Sequence, residues 1–301
     1  MIYTVTLNPS LDYIMHLDEI NVSGVNRSKK EEVYPGGKGI NVSIVLNNLG
    51  IPNKALGFIS GFTGKEIENI MRKLGSNTDF ITLDHGISRI NVKLETGKET
   101  EINGMGPKIT PADLKDLFSK LEEIQDGDFL VLAGSIPNSV PDSIYQDIMK
   151  ELSHKNINIV VDATKDLLLN VLKYKPFLIK PNHIELAEMF NVTLNSDDEI
   201  ITYARKLQEM GAQNVLISMG GDGSILITNT GEAVKMSVPQ GTVINTVGSG
   251  DSMVAGFIAG YLKSNNLKDA LKFATATGSA TAFSTWLAKK DTIDDLLCQL
   301  K

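Results

Sequence analysis

The stretch Asn245-Thr246-Val247-Gly248-Ser249-Gly250-Asp251-Ser252 places two glycines and an aspartate where a loop enters a helix. The apolar residues that follow recur with helical spacing, at Val254, Phe257, Ile258, Tyr261 and Leu262. A helix start presents unpaired backbone N–H groups and the positive end of the helix dipole, and glycines let an anion approach them closely. A carboxylate in this first turn can accept a proton from a hydroxyl. The pattern predicts phosphoryl transfer to an alcohol, although a plain N-cap and a tight turn fit the same residues.

Short apolar runs rich in β-forming residues alternate with helical patterns along most of the chain. Several runs are apolar throughout, as expected for parallel strands that are covered on both faces. The predicted strands are Ile2–Leu7, Ala55–Ile59, Phe129–Ala133, Ile157–Val161, Phe177–Ile179, Val215–Ser218 and Ser224–Ile227. One helix is predicted around Val42–Leu49, and another begins after Thr110, where proline occupies the first turn. The alternation predicts a three-layer α/β/α fold around a doubly wound, mainly parallel sheet.

Two polar segments interrupt this alternation, at about residues 12–35 and 88–104. In the second segment, Ile90–Leu94 and Glu99–Ile102 flank Thr96-Gly97-Lys98 as in a β-hairpin. Because both segments lack helical spacing, we expect them to form a small β-sheet that closes as a lid over one domain spanning residues 1–301. Such a sheet leaves its outer face exposed, so we also expect a homodimer joined through the lids.

Composition narrows the possible functions. The 301 residues include 36 acidic and 29 basic side chains, and the net charge of −7 argues against nucleic acid as the main partner. Any anionic ligand must then be held by local cations. The single cysteine, Cys298, excludes an intrachain disulfide. No apolar run reaches the length of a membrane span, and we therefore expect a cytoplasmic protein without a membrane partner.

A second glycine cluster, Gly36-Gly37-Lys38-Gly39-Ile40-Asn41, also precedes a predicted helix. Its glycines let the backbone approach a ligand, Lys38 supplies positive charge, and Asn41 can bond sugar hydroxyls. It is not a Walker A loop, because Glu32 stands where that motif requires glycine and Gly39 replaces the hydroxyl residue after lysine. A plain turn fits the same cluster.

Three further segments place polar residues at the ends of predicted strands. Asn8-Pro9-Ser10-Leu11-Asp12 follows the first strand, and its aspartate could bind sugar hydroxyls or simply occupy a turn. In Lys180-Pro181-Asn182-His183-Ile184-Glu185, Asn182 and Glu185 have the spacing of a helix cap, but they could also approach a phosphate and Mg²⁺. The segment Ser218–Gly223 links two strands and fits either a nucleotide-binding loop or a glycine-rich hairpin.

The order of these motifs along the chain resembles the phosphofructokinase-B branch of the ribokinase-like family. The resemblance covers Thr6–Asp12, Gly36–Asn41, Pro181–Glu185, Ser218–Gly223 and Val247–Ser252. Within that family, the stretch from Arg89 to Asn103 is most similar to the 1-phosphofructokinase group. The resemblance implies a ribokinase-like fold and ATP- and Mg²⁺-dependent phosphorylation of fructose 1-phosphate to fructose 1,6-bisphosphate. Tagatose-6-phosphate kinase shares nearly every other motif and is the alternative.

The resemblance also implies residue roles. The transfer step would use Asp251 as the base, with an anion hole formed by Gly248, Ser249 and Gly250. ATP would contact Asn182, Ser218, Gly220, Gly221 and Gly223, with Glu185 reaching Mg²⁺ through water. The sugar would contact Asp12, Gly36, Gly37, Lys38, Asn41 and Asn103. Its phosphate would bind Arg27 and Arg89, although a solvated surface arginine has the same sequence signature.

Several expectations about the chemistry remain. Because a helix N-terminus lowers the pKa of a carboxylate, we expect Asp251 to be ionised at neutral pH. Met105 departs from the family pattern, which more often has proline there, so the local conformation of the lid is in question. A nicotinamide-dependent dehydrogenase would need G-x-G-x-x-G after the first strand, where Asn8-Pro9-Ser10 stands. A sugar-binding regulator without catalysis would not need Asp251 and its two neighbouring glycines.

Overall fold

The computed structural model describes residues 1–97 and 99–300, which form thirteen strands and ten α-helices. The strands are β1 (Ile2–Thr6), β2 (Ser10–His16), β3 (Lys30–Gly36), β4 (Asn53–Ser60), β5 (Ile81–Leu83), β6 (Arg89–Glu95), β7 (Glu99–Asn103), β8 (Phe129–Ala133), β9 (Asn158–Asp162), β10 (Leu178–Ile179), β11 (Asn214–Ser218), β12 (Ser224–Ile227) and β13 (Ala233–Met236). The helices are α1 (Lys38–Asn48), α2 (Gly61–Lys73), α3 (Pro111–Leu121), α4 (Ile144–Glu151), α5 (Lys165–Val171), α6 (His183–Phe190), α7 (Asp197–Glu209), α8 (Ser249–Ser264), α9 (Leu267–Ala282) and α10 (Lys290–Gln299).

Nine strands form the main sheet, in the order β13-β12-β11-β10-β9-β8-β1-β4-β5. The strands from β5 to β11 pair in parallel, and only β12 and β13 are antiparallel additions at one edge. After β1 the chain builds outward through β4 and β5, and then returns to the other side of β1 with β8. The order therefore reverses between β1 and β8, and in open α/β sheets ligands bind at such a switch point, beyond the carboxyl ends of the strands.

Helices cover both faces of the main sheet and create two separate apolar cores. Strand β8 contributes to both: Leu130 and Leu132 pack in one core, whereas Phe129 and Val131 pack in the other. This alternation explains why the strand is apolar throughout, because both faces of its pleat are buried. The predicted three-layer α/β/α fold is confirmed. Among the described residues, none of the helices combines the length and hydropathy that crossing a bilayer requires.

All seven predicted strands are present, with ends that differ by at most two residues. The two main-sheet strands that the prediction omitted, β5 and β13, are short and lie at the edges of the sheet. The predicted helix start at Thr110 is also correct, since its hydroxyl accepts a hydrogen bond from the backbone N–H of Asp113. One boundary matters for function: the strand predicted as Ile157–Val161 ends one residue later, at Asp162.

The two polar segments form a separate four-stranded sheet in the order β3-β2-β6-β7, hereafter the small sheet. Its two halves meet where β2 and β6 pair in parallel, with Asp12 opposite Asn91. The predicted hairpin is the antiparallel pair β6 and β7, although Lys98 of its predicted turn lies outside the described residues. Strands β2 and β3 are joined to one another by residues 17–29, which contain Arg27.

Strands β1 and β4 approach one another closely at Gly57. It pairs with Thr6, and a Cβ at Gly57 would lie 2.0 Å from the carbonyl oxygen of Thr6, in a backbone with φ of +149°. We expect Gly57→Ala to lower the free energy of unfolding by about 2–4 kcal/mol, since overpacking and the unfavourable φ both contribute. Gly50→Ala is the matched control, because its φ is +74° with no atom within 4 Å of the new Cβ, and should lose only about 1 kcal/mol. Equal losses in denaturant titrations would contradict the close approach.

Candidate active site

A cavity of about 570 Å³ lies at the switch point of the main sheet. The cavity is lined by the ends of β1, β8, β9 and β11, by the starts of β6, α1 and α8, and by the segment after β10. Parts of the chain that are far apart in sequence therefore meet at one place. They include members of the predicted motifs, namely Asn8, Gly37, Lys38, Asn41, Asn182, Glu185, Ser218, Gly248, Gly250 and Asp251.

Asp251 lies in the first turn of α8, and its side chain is buried. Its carboxylate accepts a hydrogen bond of 2.8 Å from the side-chain amide of Asn41. Gly248 caps the helix with a φ of +78°, a left-handed conformation that glycine adopts without strain. The hydrogen bond was not foreseen, because Asn41 was predicted to contact the sugar directly. It links the second glycine cluster to the predicted base.

The pKa of Asp251 shifts in the direction opposite to the one expected. Burial raises it to about 6, and the negative charge of Asp162 adds to the rise, while Lys38, Asn41 and Lys180 oppose it. The expectation considered only the helix dipole, whereas removing the carboxylate from water has the larger effect. With a pKa near 6, roughly nine in ten molecules still carry the ionised form at pH 7. Asp251 is therefore a stronger base than predicted and remains ionised.

Asp162 lines the cavity. It was not predicted as a site residue from the sequence. Its carboxylate is buried, and one of its oxygens lies 3.0 Å from the ammonium of Lys38 and 3.6 Å from that of Lys180. Burial alone would raise the pKa of Asp162, but the two lysines outweigh it and hold the pKa below its ordinary value. The available signal was a carboxylate directly after an apolar strand, the same argument that had singled out Asp12.

The predicted anion hole is only partly free to bind a ligand. The backbone N–H of Ser249 already donates to the carbonyl oxygen of Thr246 at 3.2 Å. The hydroxyl of Ser249, however, is buried without a hydrogen-bond partner among the described residues. A Cβ on Gly250 would lie 2.9 Å from the ammonium nitrogen of Lys180, so this ammonium lies beside the helix start. The unpaired hydroxyl and the nearby ammonium suit a phosphate group.

The helix cap that the sequence allowed for Asn182 and Glu185 is present, whereas their approach to a phosphate and Mg²⁺ stays a prediction. They form a reciprocal cap at the start of α6, in which each side chain accepts a 2.8 Å hydrogen bond from the backbone of the other. Both also line the cavity. Within residues 1–97 and 99–300, no three acidic, histidine or cysteine side chains cluster in a way that would hold a metal ion. A Mg²⁺ ion at Glu185 would take its other ligands from water and a bound phosphate, as is common for this ion.

A second cavity, of about 590 Å³, adjoins the first and shares Ser218 and Gly250 with it. The loop between β11 and β12 forms one wall, and the side chains of Met253 and Phe283 contribute apolar surface. The predicted nucleotide-binding glycines all lie here, at Gly220, Gly221 and Gly223. The loop is also the antiparallel connection that the hairpin alternative required. A cavity of this volume with an apolar wall suits a small ligand such as the predicted nucleotide.

The residues predicted from the small sheet divide into two groups. Arg89 lines the first cavity and donates to the backbone oxygen of Asn8 at 3.0 Å. Asp12 lies beside a smaller gap under the sheet and accepts a 3.1 Å hydrogen bond from Asn91, and a Cβ on Gly36 would lie 2.5 Å from its carboxylate. By contrast, the side chains of two residues are exposed and line neither large cavity, namely Arg27 and Asn103. Their assignment to the substrate stays a prediction.

Comparison with known proteins agrees with this geometry. Residues 5–289 match the family model described as pfkB family carbohydrate kinase. The chain is 48% identical to a 1-phosphofructokinase of Bacillus subtilis, with 100% of this chain and 99% of the relative covered. It is 38% identical to a D-tagatose-1-phosphate kinase of Bacillus licheniformis, with the same coverage of 100% and 99%.

Solved structures give the same result. A putative phosphofructokinase from Staphylococcus aureus has a TM-score of 0.88 and 44% identity, covering 100% of this chain and 98% of that one. Phosphofructokinase-2 from Escherichia coli, in complex with substrates and products, has a TM-score of 0.93 and 26% identity, with 99% of both chains covered. The predicted family is confirmed, and the chain belongs to the pfkB family of carbohydrate kinases.

Proposed function

We propose that this chain transfers the γ-phosphoryl group of ATP to the C6 hydroxyl of fructose 1-phosphate, which gives fructose 1,6-bisphosphate and ADP. The observation that carries the proposal is the buried, ionisable Asp251 at the start of α8, in a cavity with three cationic side chains. These cations, Lys38, Arg89 and Lys180, provide charge for two phosphate groups, one on the sugar and one in transfer. The 48% identity to a 1-phosphofructokinase supports the choice of sugar.

A second candidate substrate is tagatose 1-phosphate, because two of the relatives are D-tagatose-1-phosphate kinases. This sugar differs from fructose 1-phosphate only in the configuration at C4, and both carry the phosphate on C1. The alternative considered from the sequence, tagatose 6-phosphate, exchanges the positions of the phosphate and the reacting hydroxyl. The 1-phosphofructokinase and D-tagatose-1-phosphate kinase relatives therefore favour the C1 phosphate over the C6 phosphate, and the C4 epimer is the closer competitor.

Each step of the transfer has a residue suited to it. The oxygen of the C6 hydroxyl forms a bond to the γ-phosphorus while the bond between that phosphorus and the ADP oxygen breaks. Asp251 takes the proton that the C6 hydroxyl loses. In a loose transition state the proton leaves late, so the position of Asp251 matters more than its basicity. Lys180 and the start of α8 would stabilise the negative charge on the moving group. Glu185 and Asn182 would hold Mg²⁺ and the phosphates of ATP, which supplies the phosphoryl group.

The small sheet would keep water out of this reaction. Tyr34 of β3 stacks on Trp286 of the main body, with 4.6 Å between the ring centroids, so the sheet already contacts the body beside the cavity. Closure over the sugar would bring Arg89 to its phosphate and prevent ATP hydrolysis. We also propose that the enzyme acts in sugar metabolism in the cytoplasm, as its 1-phosphofructokinase relatives suggest.

A comparison of substrates tests the proposal. We expect Mg²⁺-dependent ADP release with the highest kcat/KM on fructose 1-phosphate, ahead of tagatose 1-phosphate, tagatose 6-phosphate and fructose 6-phosphate. Asp251→Asn is the control for the mechanism, since it should keep ATP binding and lose turnover by roughly 10²–10⁴-fold, the usual contribution of a general base. A preference for another sugar phosphate would overturn the choice of substrate, and near-normal turnover by the variant would overturn the role of Asp251.

The raised pKa of Asp251 predicts a pH dependence. Because its base form dominates above a pKa of about 6, kcat/KM should fall about tenfold per pH unit below that value. Asn41→Leu should move this acid limb to higher pH, since the hydrogen bond from Asn41 lowers the pKa. The substrates ionise identically with both enzymes, so they cannot cause the shift. An acid limb at the same pH in both profiles would exclude Asp251 as the titrating group.

The outer face of the small sheet supports the proposed homodimer. One cross-strand row contains Val33, Tyr13, Val92 and Ile102, in register across all four strands. The adjacent row, which contains Asp12 and Asn91, lies on the other face of the pleat. Val33 and Ile102 are 40% and 60% exposed, so this row presents apolar side chains to solvent.

We therefore expect a dimer in light scattering at micromolar concentration. Ile102→Asp should shift the population to monomer, because it buries a charge at the interface. Met210→Asp is the matched control at an exposed methionine after α7, on the main body, and should leave the dimer intact. A wild-type monomer, or equal effects of the two changes, would contradict an interface through the small sheet.

A further inference from the structure

We propose that Asp162 is a positioning residue of the phosphoryl transfer, whose buried carboxylate holds the ammonium groups of Lys38 and Lys180 together at the start of α8. The inference rests on the proposed function, since it assigns a role within the same site. Asp162 itself would not touch the reacting atoms. It would act through the two lysines, and through its charge on Asp251.

The geometry places one carboxylate between two cations from different elements. Asp162 is the last residue of β9, Lys38 is the first residue of α1, and Lys180 follows β10. Both ammonium groups approach the same carboxylate oxygen, at 3.0 Å and 3.6 Å. The backbone of Asp162 is also fixed, because its carbonyl oxygen accepts from Gly134. The carboxylate is thus a rigid anchor, whereas lysine side chains have many rotamers of their own.

The other carboxylate oxygen of Asp162 makes the buried charge dependent on the two lysines. It is buried and has no hydrogen-bond partner among the described residues. A buried carboxylate is unfavourable unless paired, and here the pairing comes only from the ammonium groups at its neighbouring oxygen. The dependence is mutual, since Lys180 is itself only 5% exposed and the carboxylate is its one ion-pair partner in the described part of the chain.

The position of Lys180 connects this pair to the chemistry. Its ammonium lies beside Gly250, whose backbone forms part of the predicted anion hole. Two ammonium groups that share one carboxylate would repel each other without it, and each could then turn toward solvent. Loss of Asp162 would therefore remove positive charge from the place where the phosphoryl group moves. It would also remove a negative charge that opposes the ionisation of Asp251.

The test compares Asp162→Asn with Asp128→Asn. Asp128 is likewise buried and paired with an ammonium, that of Met1, but it precedes β8 at the opposite end of the sheet. We expect Asp162→Asn to lower kcat by about 10–100-fold, as for groups that orient catalytic ligands. Asp128→Asn should leave kcat unchanged, whatever it does to stability.

A double-mutant cycle shows whether Asp162 acts through the lysine. In a Lys180→Met background, Asp162→Asn should lower kcat by less than threefold or raise it, since the carboxylate has lost one of its partners. Independent losses that multiply in the double variant would overturn the proposal.

Binding of a nonhydrolysable ATP analogue with Mg²⁺, measured by calorimetry, separates this inference from the choice of sugar. We expect Asp162→Asn to weaken that binding at least fivefold and Asp128→Asn to leave it within twofold. Failure of the proposed function would be visible in the wild type alone, as absent turnover on fructose 1-phosphate. Failure of the Asp162 proposal would instead be visible as equal analogue binding by wild type and Asp162→Asn.

Discussion

The site depends on keeping one carboxylate both buried and ionisable. Burial gives Asp251 the basicity and the dry surroundings that proton transfer to it requires, but burial also favours its neutral form. The opposing charges are close by: Lys38 and Lys180 stabilise the ionised form, Asn41 donates a hydrogen bond to it, and Asp162 limits how far the pKa can fall. The result is a pKa of about 6, just below physiological pH, where a general base is most effective.

This balance requires residues that the chain carries far apart. Asn41 and Asp251, which share a hydrogen bond, are 210 residues apart in sequence. They meet because parallel strands bring their carboxyl ends to one edge of the sheet and the strand order reverses there. The two apolar cores fix that edge, since strands buried on both faces have no freedom to shift register. The same edge gives access to a glycine-walled apolar cavity on one side and to the small sheet on the other.

Much of this could be predicted from the sequence because the signals are local. Apolar runs predicted the strands, and glycines before a helix predicted Asp251 as a base beside an anion site. Asp162 was missed because its strand was predicted to end one residue too early, and because a local pattern does not say which strand ends are neighbours. The pKa of Asp251 was predicted in the wrong direction for a related reason. The helix dipole can be inferred from sequence, whereas the degree of burial depends on contacts from distant segments.

The small sheet shows a second reason why local sequence patterns could not identify every site residue. Its strands follow from alternation in the sequence, and its polar face places Asp12, Asn91 and Arg89 toward the body. Arg27 and Asn103 do not line the cavities in the single chain, because one belongs to an exposed connection and the other ends an edge strand. Local pattern cannot say whether such a residue reaches a ligand, since that depends on how the sheet and its proposed partner are placed when substrate binds.

The most direct measurement is a crystal structure of the wild-type chain with fructose 1-phosphate and a nonhydrolysable ATP analogue. We predict that the C6 oxygen lies within about 2.6–3.2 Å of the Asp251 carboxylate, the reach of a hydrogen bond. We also predict that the C1 phosphate lies at Arg89 and the γ-phosphate at the start of α8 beside Lys180. A C6 hydroxyl without contact to Asp251, or a sugar phosphate occupying the start of α8, would contradict it.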